Sequence, residues 1–570
     1  MEKIPKTEEL IPQKPHLRYI EKTLSLLESD IGPDGEKINW KDLYEKVGPW
    51  NSGLELSDEV RDVIREYLLS KFPKIKEKIA SIEDLPDSKL LDALSHGWFE
   101  ELGEEVGETR TEVLLAVLGH ITKKIETRIY KKVIGEADEN DIQKLGLPPN
   151  MRQLTIDCLD ASVKSDPLFI RFLAYSQLAP KPPKDASPIA PIGQDGQPHT
   201  FPELFPHETQ FISKKLSAIL ESRQLWENEP GADDFLEYLR YLAQFFDEKD
   251  VEKSKELHKN VEETYGRLIS SDFPLVIVPP LEGYYKPPYL DPELKVAIRT
   301  PESRLQEEKF HSIQEALADK LDKLGVGQFS DDMRKRIIRS FISIGSYGVG
   351  ITFNAVAQEE PAIALFINEQ IRAYDVNLKK FLPLIDDSER IFSKVAEQRI
   401  EEMSREDTIL HELSHTVYPT KTPEAKRLGV EQESIIGEIA AESIYKGVMK
   451  ELIDDGKVDY TTEQYARVTI CMSLITIEGS SDTDDEYYKA AVFVLNGLFE
   501  KGIVEFSGNK IKIKNQVALF EYFRNNAREI ISLYEDSGMT EQKAKKWVSK
   551  KCKAGSKLQK LIDFIKVRKD

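Results

Sequence analysis

His411-Glu412-Leu413-Ser414-His415 is the stretch from which the rest of the chain is read. On a helix, positions i and i+4 stand one above the other on the same face. Two imidazoles at that spacing can grip one metal ion, and the glutamate between them faces the open side of that ion. This is the H-E-x-x-H pattern of zinc peptidases, two ligands and a general base for an attacking water. The chain has only 9 His in 570 residues, so chance rarely produces the match. Ile409, Leu410 and Val417 beside it are apolar, as a buried metal helix requires. Ser404, three residues before Asp407, is close to a capping box that would start the helix there, and Pro419 would stop it. The competing reading is a solvated helix that happens to carry two histidines.

Length and composition bound the rest. A chain of 570 residues is too long for one core and predicts two or more lobes. Hydrophobic residues at 40% and aromatics at 9% suffice for globular folding. The net charge is −21, and no basic run is long enough to track a phosphate backbone, which argues against nucleic acid as a partner. The start, MEKIPKTEELIPQKP, has no apolar core of a signal peptide, and no run of about 18 apolar residues predicts a membrane span. Cys158, Cys471 and Cys552 are far apart and odd in number, so neither a disulfide framework nor a cysteine zinc site is expected. The cytoplasm is the default location.

The patterning is mostly helical from about 16 to 178, for example over 59–79 and 111–130. The stretch 179–206 is dense in Pro and Gly and reads as a long loop. Helical patterning resumes over 207–270. FPLVIVPP at 273–280 opens a Pro-rich segment of extended edges and turns, and ITFNAVAQ and AIALFINEQI within 348–371 read as two strands. After about 385 the chain is helical to its end, interrupted by a hairpin-like GIVEFSGNKIKIK at 502–514. The expected fold is mainly α with a smaller β component, in two lobes around a cleft where a peptide would lie. The mixed lobe takes 1–300 and the strands of 346–384. The helical zinc lobe takes 301–345, read as helical, and 385–570.

A catalytic zinc site needs a third protein ligand and one open position. No His follows His415, so a downstream ligand must be a carboxylate. EQESIIGEIAAESIY at 431–445 is helical in period and offers Glu431, Glu433, Glu438 and Glu442. Glu438 is taken as the ligand. Glu442, one turn on, can then accept a hydrogen bond from the far nitrogen of a ligand His and fix its tautomer. Gly437, Ala440 and Ala441 are small enough to let two helices approach. The bland alternative is that the four acids form an ordinary solvated face.

HELSH followed by GEIAAES resembles the two motifs of the dipeptidyl peptidase III family of zinc aminopeptidases, in the subset with a five-residue first motif. The resemblance gives Glu438 the role of zinc ligand and Glu442 that of the acid holding a ligand His. Gly437 stands where the family's second motif begins with another Glu. PPLEGYY resembles the family's E-x-Y segment, which implies that Glu282 holds the substrate's amino group and that Tyr284 donates to the scissile carbonyl. Asn354 resembles a family asparagine that binds substrate backbone from a strand. The resemblance also implies a mostly helical zinc lobe and a second lobe with a small β-barrel core.

The chain departs from the family at 486–502, EYYKAAVFVLNGLFEKG, where longer members carry a His and an Arg. Tyr487 or Tyr488 falls near the His position and Ala491 near the Arg position, and a tyrosine there, taken as Tyr487, is a possible second donor to the oxyanion. The expectation is therefore one zinc ion, an oligopeptide substrate, and a monomer or homodimer that releases N-terminal dipeptides. Two other readings remain: an endopeptidase with the same H-E-x-x-H and Glu site but no anchor for the amino end, and a catalytically impaired peptide-binding homologue.

Overall fold

The structure, a computed structural model, describes Lys123, Thr127, Tyr130, Lys131, Ile134, Gly135 and residues 137–567 apart from 177–179, 181, 184–185, 194, 281–288, 345–354, 358–361, 368–380, 394, 396, 420–421, 480–482 and 484. The helix expected over 59–79 lies outside the described residues, as does most of that over 111–130. The fold is mainly α with a smaller β component. The chain divides into two compact units. The first is Met1–Leu305, Arg339–Phe353 and Phe366–Ile371; the second is Gln306–Ile338, Asn354–Leu365 and Arg372–Asp570.

In the first unit, helices α1 (Arg152–Ser176), α2 (Pro206–Glu221), α3 (Ala232–Phe245) and α4 (Val251–Ser270) pack each against the next. Phe235, Leu236, Leu239 and Leu242 show why α3 sits inward, because residues three and four apart share one buried face. Asp250 starts α4 by accepting from the Lys253 N–H at 3.0 Å. Strand β1 (Leu275–Val278) pairs antiparallel with β2 (Lys295–Ile298), with Leu275 opposite Ile298. Every residue of both strands is buried, which is why LVIV reads as a continuous apolar run rather than an alternating one. The lead-in to β2 is tied to α1: Ser162 Oγ donates to Leu294 O at 2.6 Å, and Leu294 N donates to Ser165 Oγ at 2.7 Å. Lys123 Nζ donates to Asp166 at 2.7 Å and to Leu294 O at 3.0 Å, with both charged side chains fully buried.

The segment 301–345, expected to be helical, corrects to a helix and a strand: α5 (Pro301–Lys320), then β3 (Ile337–Ile344), which pairs antiparallel with β2. IIRSFISI is β-branched and aromatic, and Ile338, Ser340, Ile342 and Ile344 are all buried two apart. Its position after a charged helical stretch hides that period.

The second unit holds β4 (Ala355–Ala357), β5 (Ala362–Ile367) as far as Leu365, and helices α6 (Glu397–Ser414), α7 (Val430–Asp454), α8 (Thr462–Gly479) and α9 (Glu486–Glu500). The hairpin β6 (Val504–Ser507) and β7 (Lys510–Ile513) follows, then α10 (Gln516–Glu535), α11 (Glu541–Lys551) and α12 (Ser556–Val567). Gly508 and Asn509 both have positive φ, as a two-residue hairpin turn requires. Side chains cap the helices: Asp485 for α9, Asn515 for α10 and Thr540 for α11.

Helix α7 is the axis of this unit. It packs against α6, α9, α10 and α11 and buries Ile435, Ile436, Ile439, Ile444, Val448 and Leu452. At Gly447 a Cβ would lie 2.8 Å from the Ala527 Cβ, so only glycine lets α10 come this close. Helix α6 corrects the expected start at Ser404: it begins at Glu397, where Arg399 pairs with Glu402 and Glu406 along the helix at 2.8 and 2.9 Å. It ends at Ser414, before Pro419 is reached. All three cysteines are unpaired and buried, and burial pushes their thiols up, Cys552 to about 12, so they are core residues and not nucleophiles. Among the described residues no helix is long and apolar enough to cross a membrane.

Candidate metal centre

Helix α6 presents His411 near its end, and His415 follows one residue after it closes. The last turn tightens: the N–H groups of His415, Thr416 and Val417 donate to Glu412, Leu413 and Ser414 at 3.3, 3.1 and 3.0 Å, a three-residue spacing. That turn keeps His415 over His411. The two rings meet edge-on, with centroids 4.9 Å apart and the Nε2 atoms 3.2 Å apart. Ile409, Leu410 and Leu413 are fully buried and anchor the opposite face.

The chain then reverses through Tyr418, whose φ is +57°. A non-glycine residue held there costs about 1–3 kcal/mol and persists only where its surroundings impose it. Here its ring lies parallel to that of Tyr534 of α10, with centroids 4.6 Å apart, and its hydroxyl donates to Glu535 at 3.1 Å.

Helix α7 supplies the carboxylates. Glu438 Oε2 is 3.2 Å from His411 Nε2, and Oε1 is 3.7 Å from His415 Nε2. One ligand atom from each of His411, His415 and Glu438 lies within 4.8 Å of the others. Glu442 Oε1 is 3.0 Å from His411 Nδ1. Of the other two acids, Glu431 is exposed and Glu433 is half-buried, where burial and the neighbouring Glu438 push its carboxyl up. Glu412 is half-buried, between the two histidines in sequence.

This donor set fits a cation. With Nδ1–H given to Glu442, a neutral His411 keeps its lone pair on Nε2, facing His415 and Glu438. Glu438 Oε2 is buried and has no hydrogen-bond partner, despite its approach to His411 Nε2. The site is also electrostatically short of positive charge. Burial opposes a proton on His411, yet Glu438 and Glu442 outweigh it and hold the imidazole well above its usual range. Burial likewise opposes charge on Glu438, and His415 and His411 outweigh it and keep that carboxyl low. Two imidazole nitrogens and a carboxylate are the ligands zinc takes in hydrolytic sites.

Two residues that the sequence reading passed over stand behind His411. Lys446 Nζ donates to Glu442 Oε2, and its side chain is 1% exposed. Asp407 lies one helical turn before His411 and is 3% exposed; its carboxyl is pushed up to about 6 by burial, against the pull of Lys446. Their signal was the four-residue spacing of Glu442 to Lys446 and of Asp407 to His411. Tyr487 stands in the first turn of α9 and is 42% exposed. Glu282, Tyr284 and Asn354 lie outside the described residues.

No family model matches the chain, and no curated protein does. Among solved structures it is similar to a DPP III from Caldithrix abyssi, at 14% identity over 91% of this chain and 95% of that one, with a TM-score of 0.48. It is also similar to a dipeptidyl-peptidase III from Corallococcus sp. strain EGB, at 14% identity over 92% and 95%, with a TM-score of 0.49.

Proposed function

We propose that the chain is a zinc-dependent aminopeptidase of the dipeptidyl peptidase III type, which releases N-terminal dipeptides from oligopeptides in the cytoplasm. The observation that carries this reading is the convergence of His411, His415 and Glu438 from two helices on one point, with Glu442 behind His411. The likeness of HELSH and GEIAAES to the two motifs of that family supports it. A bound zinc ion would acidify a water and polarise the carbonyl to be cut. Glu412 takes the proton of the attacking water and passes it to the leaving amine. Glu442 keeps the Nδ1–H of His411 in place, so that Nε2 is free to ligate. By the same likeness Glu282 and Asn354 hold the amino end and backbone of the peptide, and Tyr284 donates to the oxyanion. Tyr487 is the second donor.

The test is mass spectrometry of an eight-residue peptide incubated with zinc-loaded protein, beside Glu412→Ala and an N-acetylated copy of the peptide. Stepwise loss of N-terminal dipeptides, abolished by Glu412→Ala and by acetylation, is the expected result. Internal cuts that ignore acetylation would move the chain to the endopeptidases. A wild type that binds the peptide without cutting it would make it a binding homologue.

A further inference from the structure

Glu442 divides its two oxygens between two partners. Oε1 faces His411 Nδ1 at 3.0 Å, and Oε2 accepts from Lys446 Nζ, one turn further along α7. Lys446 is sealed from solvent at 1% exposure, with its ammonium 5.3 Å from the centroid of the Tyr445 ring. A buried ammonium is costly unless carboxylates surround it. Asp407, on α6, is a buried acid at 3% exposure, and this ammonium opposes the rise that burial gives its carboxyl. A buried cation, a buried acid and the half-buried Glu442 thus stand together beside His411.

We propose that Lys446 is a positioning residue of the metal centre. By pinning Oε2 it orients the Glu442 carboxylate so that Oε1 takes the Nδ1–H of His411, which leaves the Nε2 lone pair directed at Glu438 and His415. The inference rests on the zinc reading above. A glutamate side chain left to itself can turn about its last bond and offer either oxygen in many directions. Lys446 removes that freedom from the far side. It also offsets the like charge of Glu442 and Asp407, which act on each other across the two helices. Glu442 would then swing away, and His411 would lose the partner that sets its ring. Partners of this outer kind change metal affinity by roughly 10–100-fold.

The experiment measures zinc affinity, by competition with a chromophoric chelator, together with the unfolding midpoint of the metal-free protein. Lys446→Met alone leaves Glu442 and the buried Asp407 without that cation, so it is paired with Lys446→Met/Asp407→Asn, which relieves that folding cost. The double variant is expected to unfold near the wild-type midpoint yet bind zinc about 10–100-fold more weakly. Adding Lys446→Met to Glu442→Gln should cause no further loss, and Lys446→Arg should restore most of the affinity. Wild-type affinity in the double variant would overturn the proposal, and so would an equal loss from Lys446→Met with and without Glu442. If the methionine variants do not fold, Lys446→Ala/Asp407→Asn removes the donor with less bulk, and wild-type zinc affinity there would be equally decisive against it. Failure of the zinc reading looks different: the wild type would bind no zinc, or His411→Phe would bind it as tightly as the wild type.

Discussion

The Nδ1 of His411 lies 3.0 Å from Oε1 of Glu442, although one stands on α6 and the other on α7. The contact joins the two helices, and with Nδ1–H given to Glu442 it leaves Nε2 as the nitrogen that could take an ion. Glu442→Gln keeps the size of the side chain and removes its charge. Zinc affinity is expected to fall roughly 10–100-fold with little change in the unfolding midpoint of the metal-free protein. Titration against a chelator checks the first, and differential scanning calorimetry the second.

Removal of a ligand should cost more than removal of its partner. His415→Ala and Glu438→Ala should each lose more zinc affinity than the roughly 10–100-fold assigned to outer partners. Metal analysis after dialysis should give one zinc per wild-type chain and less than one in either variant. Full occupancy in both would mean that the ion, if any, is held elsewhere.

Gly447 gives a packing prediction independent of metal. A Cβ there would sit 2.8 Å from the Ala527 Cβ, so Gly447→Ala forces α7 and α10 apart. Overpacking of this kind costs about 1–3 kcal/mol, which outweighs the roughly 1 kcal/mol that alanine gains over glycine in a helix. Urea unfolding should show a net loss. Ala527→Gly in the same background should recover part of it, since it removes the atom that clashes.

In the first unit the test falls on Lys123. Lys123→Met leaves the fully buried Asp166 without its cation, and breaking such a pair from one side costs about 3–5 kcal/mol. Lys123→Met/Asp166→Leu, which replaces both charges by apolar groups, should unfold at a higher urea concentration than Lys123→Met alone. A double variant no more stable than the single one would assign the stability to the contacts of Lys123 with backbone carbonyls instead.

The grouping of His411, His415 and Glu438 was legible because a helix converts sequence spacing into spatial proximity. His411 and His415 share a face by period alone, and so do Glu438 and Glu442, which left only the meeting of two helices to the tertiary fold. Lys446 was missed for a physical reason. In SIYKGVM a lone lysine reads as a surface position, and only the acids brought in from α6 and α7 make its burial affordable. Strand β3 was missed because its neighbours in sequence are helical and charged, whereas its pairing partner β2 lies about forty residues away. The left-handed Tyr418 had no local signal, since it is Tyr534, more than a hundred residues later, that holds it.

The stacked pair Tyr418 and Tyr534 makes the centre visible without a label. Two phenol rings held parallel at 4.6 Å are fixed in an asymmetric setting, so they contribute to the near-ultraviolet dichroism that is lost when the packing loosens. One ring sits three residues beyond His415 and the other on α10, so that contribution reads the junction between the histidine helix and the C-terminal part of the chain. A spectrometer can thus follow the first loosening of the fold here in the unmodified protein.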